Sequence, residues 1–296
     1  MKRQDLQLFS RPAPESPAFS VLIPSWNNLP YLQLCLRSLR THSQLPLQLI
    51  VIVNEGRDGT LDWVRNEPDL DYVYAPDNIG ICYALNLART LARATYLVYV
   101  NDDMYLLPDW DTALMAELEA VGHPYCMFSA TMIEPHDTGN PCVIVQDYGT
   151  DIGTFSEQNL LQEAPALPRR DWSGSTWPPN VLHRDLWDLV GGMSIEFSPG
   201  MYSDPDLSMK CWQAGVRIFK GVAASRVYHF GSKSTGRVRK NKGRDTFLLK
   251  WGISARFFAD HYLRRGAPWT GPLPDPVIPV TARWIHRIRR ALKSLR

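Results

Sequence analysis

Residues 95–103 read TYLVYVNDD, in which five β-favouring residues, Tyr96 to Val100, run directly into Asn101-Asp102-Asp103. Aromatic and β-branched side chains suit a pleated, buried surface, so the segment is expected to be a strand. Two carboxylates at the end of such a strand repel each other unless they face water or share a cation. A solvated turn is one reading of the pair and a ligand site is the other.

Working outward favours the second reading. Upstream lie FSVLIP (19–24), a short apolar strand, and WNNLPYLQLCLRSLRTH, a loop followed by a helix with Leu32, Cys35, Leu36 and Leu39 at helical spacing. LQLIVIVNEG (47–56) is continuous enough in apolar residues for a strand covered on both faces. DYVYAP (71–76) is a further strand and GICYALNLARTLA (80–92) a helix. This alternation predicts a doubly wound α/β sheet, whose ligands sit beyond the carboxyl ends of the strands, where Asp102 and Asp103 fall.

Downstream the pattern is mixed. A helix is expected at 109–121, short strands near 125–133 and 141–147, and a tryptophan-containing loop at 168–180. Helices are expected at 184–191 and 205–215, then a last strand pair in 216–230, a helix near 245–263, a proline-rich linker at 266–279 and a basic helix. The chain of 296 residues, 45% apolar and 21% charged, excludes a disordered or collagenous protein. It contains no apolar run long enough to span a bilayer and no secretory h-region, which predicts a cytoplasmic protein. Five widely spaced cysteines lack zinc or disulfide spacing and read as reduced, mostly buried thiols.

The net charge of +2 hides an asymmetry. Residues 231–296 hold 16 Lys and Arg against three acids, so residues 1–230 carry −11. That balance argues against a nucleic-acid surface on the core, while the basic end suits nucleic acid, anionic lipid or a phosphate-bearing substrate, among which charge alone does not choose. In TARWIHRIRRALKSLR (281–296) a helix places Trp284, Ile285, Ile288, Ala291, Leu292 and Leu295 on one side, and Arg283, Arg287, Arg290 and Lys293 largely on the other. Such a helix packs its apolar face on its own chain or on a second subunit of a homo-oligomer, or it lies on an anionic membrane face. The proline-rich linker would let it reach away from the sheet.

Two more clusters carry chemistry. Asp204-Pro205-Asp206 precedes an apolar-faced helix; Asp206 suits the first helical turn, whereas Asp204 stands where a carboxylate can meet a ligand. His229 follows an apolar strand and reads as a structural histidine or as part of a site. The loop after it, GSKSTGRVRKNKGR, offers amides, hydroxyls and cations for a diphosphate.

The segments VLIPSWNN (21–28), VNEG with DGT (53–60), APDNIGICYALNLA (75–88), YLVYVNDDMYLLPDW (96–110), VGGMSIEF (190–197), YSDPDLSMKCWQAG (202–215) and YHFGSKST (228–235), in this order, resemble the inverting glycosyltransferases of family 2. The resemblance covers about 19–236 and is greatest to rhamnosyltransferase-like members that add single sugars; the QxxRW motif of processive synthases is absent. It implies an α/β glycosyltransferase-A fold, a Rossmann-like mixed sheet flanked by helices with a basic helical C-terminal extension. The implied organisation is a leader at 1–18, a nucleotide-sugar-binding half at 19–110, an acceptor-binding half of the same domain at 111–230 and the extension at 231–296.

The resemblance also implies roles. Pro24, Ser25 and Trp26 would line the nucleotide pocket, and Asn54 and Glu55 stand where the family has an acidic pair for base and ribose, so the amide at 54 leaves the nucleobase open. Asn78 and Gly80 match an NxG turn and Asn86 the following polar helix residue. Asn101-Asp102-Asp103 matches a DxD-type motif, with Asp103 and His229 as ligands of a Mg²⁺ or Mn²⁺ ion and Asp102 as ribose or metal partner. Lys233, Ser234 and Arg237 would meet the diphosphate. Asp204 matches the aspartate of an ED motif, the general base, with Ser203 in place of the glutamate. The implied partners are a nucleoside-diphosphate sugar and a glycan or lipid-linked acceptor, with Trp172, Trp177 and Trp187 in the acceptor region. The competing readings are a non-catalytic sugar-nucleotide or nucleic-acid binding module, and a nucleotidyltransferase, for which PSWNNLPY lacks the glycine-rich phosphate loop.

Overall fold

The computed structural model describes residues 5–12, 16–168, 170–231 and 241–294. In chain order the elements are β1 (Gln7–Phe9), β2 (Phe19–Trp26), α1 (Leu29–His42), β3 (Leu47–Asn54), α2 (Thr60–Asn66), β4 (Leu70–Ala75), α3 (Gly80–Arg89), β5 (Tyr96–Tyr99), β6 (Met104–Leu106), α4 (Trp110–Val121), β7 (Cys126–Glu134) and β8 (Ile144–Val145). There follow α5 (Glu157–Glu163), β9 (Trp172–Ser173), β10 (Asn180–His183), α6 (Arg184–Leu189), α7 (Ser203–Gln213), β11 (Ile218–His229), α8 (Gly243–Trp251), α9 (Ala255–Phe257) and α10 (Val280–Ser294).

The strands form one mixed sheet in the order β1-β4-β3-β2-β5-β10-β7-β11-β6, with β8 beside β7 and β9 beside β11. β4, β3, β2 and β5 are parallel, and β10 enters antiparallel between β5 and β7. Side chains alternate between two buried faces. Val21 and Ile23 pack with Leu32, Leu36 and Leu39 of α1 and Trp110 and Leu114 of α4, whereas Leu22, Ile50 and Ile52 pack with Leu85 of α3, Trp187 of α6 and Leu207 of α7. Burying one such side chain stabilises by about 1.5–3 kcal/mol. Leu36→Ala, at a fully buried position, would cost about 2–5 kcal/mol through the cavity it leaves.

Successive strands step away from β2 through β3 to β4, and the chain then crosses back to place β5 on the other side of β2. The connections at the carboxyl ends of β2 and β5 therefore diverge and open a crevice. β2 ends in Pro24-Ser25-Trp26, and β5 leads into Asn101-Asp102-Asp103.

Several expectations change. The strand at 95–103 stops at Tyr99, and Asp102 and Asp103 occupy a turn before β6. The strand pair at 216–230 is the single strand β11, with its register shift between Val222 and Arg226. The helix near 245–263 breaks at Gly252, whose φ of +74° ends α8, and resumes as α9 and a π-helical turn at Phe258–Tyr262. The proline-rich stretch is stitched down rather than loose, because its backbone finds partners along the sheet: Gly266 N donates to Ser173 O (2.9 Å), Trp269 N to Asp171 O (2.9 Å) and Leu273 N to Arg217 O (2.7 Å). α10 returns to α8, but its apolar face does not pack on the described part of its own chain. All five cysteines are buried thiols.

Candidate active site

The floor of the crevice is built by local turns. Asn54, ending β3, accepts the Ile79 amide on Oδ1 (3.1 Å), and Asn78 accepts the Gly80 amide (2.8 Å). Gly80 has φ +72°, and a Cβ there would lie 2.6 Å from Ser198 Oγ and 2.7 Å from Pro199 Cα, so no other residue fits without displacing the 198–200 loop. Ile81 N donates to Pro199 O (2.8 Å), which ties the start of α3 to the loop that leads into α7.

Strand register assembles the acidic end. β11 runs parallel to β7 with Tyr228 opposite Ile133, and antiparallel to β6 with His229 opposite Met104. His229 is thereby set between Glu134 and Asp103. Its Nδ1 lies 2.8 Å from Glu134 Oε1 and its Nε2 lies 3.5 Å from Asp103 Oδ1. Asp102 and Asp103 are each only 4% exposed. Burial disfavours the imidazolium, but Asp103 and then Glu134 outweigh it and push His229 up to about 10, so this corner selects a positive charge.

A divalent cation suits the same corner. Glu134 engages Nδ1, which leaves Nε2, without a hydrogen bond among the described residues, directed at Asp103. A carboxylate behind a histidine is the arrangement that orients a metal-binding imidazole. No set of three or more His, Cys, Asp or Glu side chains among the described residues is arranged to hold a metal ion, and Asp103 and His229 could serve as two ligands of one.

Asp204 closes the site from the other side. It stands in the first turn of α7, behind Tyr202 at φ +71°. Its Oδ1 is buried without a hydrogen-bond partner among the described residues, and burial pushes the carboxyl up from 3.8 to about 7. Asp206, two residues on, is fully buried but satisfied by Ser194 Oγ (2.5 Å), Trp251 Nε1 (2.7 Å) and Lys250 Nζ (2.9 Å). Asp206 anchors α7 to α8, while Asp204 retains an acceptor for something else.

One cavity of about 980 Å³ joins these groups, lined by Pro24, Ser25, Trp26, Asn54, Asn78, Gly80, Asp102, Asp103, Asp204 and His229. Glu55 and Asn86 are not among its lining residues. Glu55 accepts from Asn27 Nδ2 (3.0 Å), and Asn86 exchanges two 2.8 Å hydrogen bonds with the Met193 backbone. Lys233, Ser234 and Arg237 lie outside the described residues. Of the three tryptophans, only Trp177 reaches the cavity. Trp172 is buried, donating to Thr131 Oγ1 (2.9 Å), and Trp187 is buried against Gly192.

Sequence reasoning missed Glu134, Tyr99 and the contribution of the extension, which lines the cavity through Arg256, Phe258 and Arg265, the last with its guanidinium 5.3 Å from the Trp177 ring centroid. No local spacing marks these residues. Only β7–β11 pairing and the return of the chain after α8 bring them here.

A Rossmann-like mixed sheet with an acidic, histidine-closed cavity at its switch point defines a glycosyltransferase-A fold. Residues 20–153, a little under half of the chain, match the glycosyl transferase family 2 model. Among curated relatives, EpsH of Bacillus subtilis (strain 168), which carries a glycosyltransferase name, is 25% identical over 175 residues, 57% of this chain and 48% of its own. TuaG of the same organism, named for teichuronic acid biosynthesis, is 28% identical over 119 residues, 39% of this chain and 46% of its own. The chain thus spans about half the length of these relatives. The fold is shared with S. aureus TarS 1–349 (TM-score 0.57, 13% identity, 94% of this chain and 71% of that one). It is shared also with the mannosyltransferase PcManGT from Pyrobaculum calidifontis, solved with GDP-Man and Mn²⁺ (TM-score 0.52, 16% identity, 97% and 76%).

Proposed function

We propose that the protein transfers one sugar from a nucleoside-diphosphate sugar to a hydroxyl acceptor with inversion. The observation that carries this reading is the cavity shared by Asp204, with a buried oxygen left to accept a proton, and the Asp102, Asp103 and His229 corner. The acceptor oxygen attacks the anomeric carbon, its proton passes to Asp204, and the carbon–oxygen bond to the diphosphate breaks with the electron pair leaving on the diphosphate. A carboxyl raised to about 7 is matched to this task, since a base works best near the operating pH. The side chains and backbone of 24–26, 54 and 78–80 hold the nucleotide, and Asp102 the ribose or metal. A Mg²⁺ or Mn²⁺ ion held by Asp103 and His229 would supply positive charge at the diphosphate.

The acceptor is a glycan or a lipid-linked glycan of surface polysaccharide assembly, a reading supported by the teichuronic acid name of TuaG. Trp177, with Arg265 near its face, provides an aromatic platform for a sugar ring. The test is calorimetric titration with UDP-, GDP- and dTDP-sugars with and without Mn²⁺, followed by NMR of the anomeric proton of the product. Metal-dependent binding and an inverted anomer support the proposal; a retained anomer or the absence of any nucleotide binding overturns it.

A further inference from the structure

α10 is mounted the wrong way round for a helix of a water-surrounded protein. Such helices bury their apolar stripe and expose their charges. Here His286 is buried, with its ring 4.8 Å from that of Phe257, and Lys293 Nζ reaches Asp245 Oδ2 at 2.8 Å. Trp284, Ile288 and Leu292 are 59%, 57% and 61% exposed, and Val280 and Ile285 are exposed with them. These five side chains fall within about 140° of helix arc at 100° per residue. Leu295 lies outside the described residues.

We infer that this outward face docks the protein on an anionic lipid surface. Charge selects the occupant. Val280–Ser294 contains five Lys and Arg and no acid. Arg287 and Arg289 project at the two margins of the apolar arc, where an interfacial helix carries the cations that meet headgroup phosphates. Trp284 suits the headgroup boundary, with its ring 5.8 Å from the Arg287 guanidinium carbon. A second copy is a poor occupant, because face-to-face pairing brings two acid-free cationic helices together. A helix about 22 Å long also offers little of the roughly 800 Å² per partner that a stable interface buries.

The docked face is connected to the cavity. Phe257, against which His286 packs, lies between Arg256 and Phe258, both of which line it. Resting on the glycosyltransferase reading above, the inference extends it: the lipid surface lies on the side of the cavity that the extension builds, so the acceptor is a lipid-linked glycan presented at that surface.

The full chain and its Trp284→Glu/Ile288→Glu variant are to be sedimented with vesicles of phosphatidylcholine alone or with added phosphatidylglycerol, at low and high salt. Both positions are exposed, so far-UV circular dichroism, melting temperature and nucleotide binding are expected to stay at the parental values. The parent is expected to bind the anionic vesicles at low salt and the variant at least about tenfold less. Equal binding of the two proteins, or none by the parent, overturns the inference. So does a parental dimer in light scattering that becomes monomeric in the variant, which assigns the face to a second copy. Nucleotide titration in parallel separates the two proposals: vesicle binding without nucleotide binding removes the enzymatic reading alone, and the reverse removes the docking alone.

Discussion

The imidazole of His229 is held from behind by Glu134, with Nδ1 2.8 Å from Oε1, and this contact aims Nε2 at Asp103. Glu134 is therefore a positioning residue. Glu134→Gln is expected to weaken Mn²⁺-dependent nucleoside-diphosphate affinity by about 10–100-fold while metal-free affinity changes little. Calorimetry with and without Mn²⁺ reads both, and equal losses in the two titrations would make Glu134 a purely structural group.

Asp103→Ala is expected to abolish the metal-dependent part of nucleotide binding, since it removes the carboxylate facing His229. Unchanged Mn²⁺-dependent affinity would exclude Asp103 as a ligand.

Asp204→Asn is expected to lower turnover at least about 10²-fold with donor affinity near the parental value, because a base acts on the acceptor in the transition state. In the parent, kcat/KM should rise with pH through about 7, the pH at which Asp204 ionises. Turnover near the parental rate would exclude Asp204 as the base.

The same carboxyl makes a stability prediction. Its pKa is raised in the folded state from 3.8 to about 7, so the stabilisation from its protonated form is complete below 3.8 and is lost as pH rises through 7. Asp204→Asn should match the parent near pH 4 and exceed it by several kcal/mol, up to about 4, at pH 8.5. Thermal melts at the two pH values check this, and a variant less stable at pH 8.5 contradicts it.

Gly80→Ala is expected to destabilise by at least about 1–3 kcal/mol and to reduce donor affinity. The new methyl meets the 198–200 loop, which carries the chain into α7 and Asp204. Denaturant unfolding together with nucleotide titration measures both effects; parental values in both would mean that the loop yields without consequence.

The alternation of apolar strands and amphipathic helices over 19–103 determined the sheet and the end of it at which the cavity opens, because side-chain period and helix spacing are local properties. Asp102, Asp103 and Asp204 were visible for the same reason: each abuts an element boundary that local pattern locates. Tertiary structure alone decided that Glu134 stands behind His229, since they are 95 residues apart and meet through the register of β7 with β11. It decided that Asp206 is a satisfied anchor while Asp204 keeps an open oxygen, because Trp251 and Lys250 arrive from α8 to serve only the former. It decided, finally, which way α10 faces. A helical wheel specifies an apolar stripe but not what lies against it, and the contacts of His286 with Phe257 and of Lys293 with Asp245 turn that stripe outward.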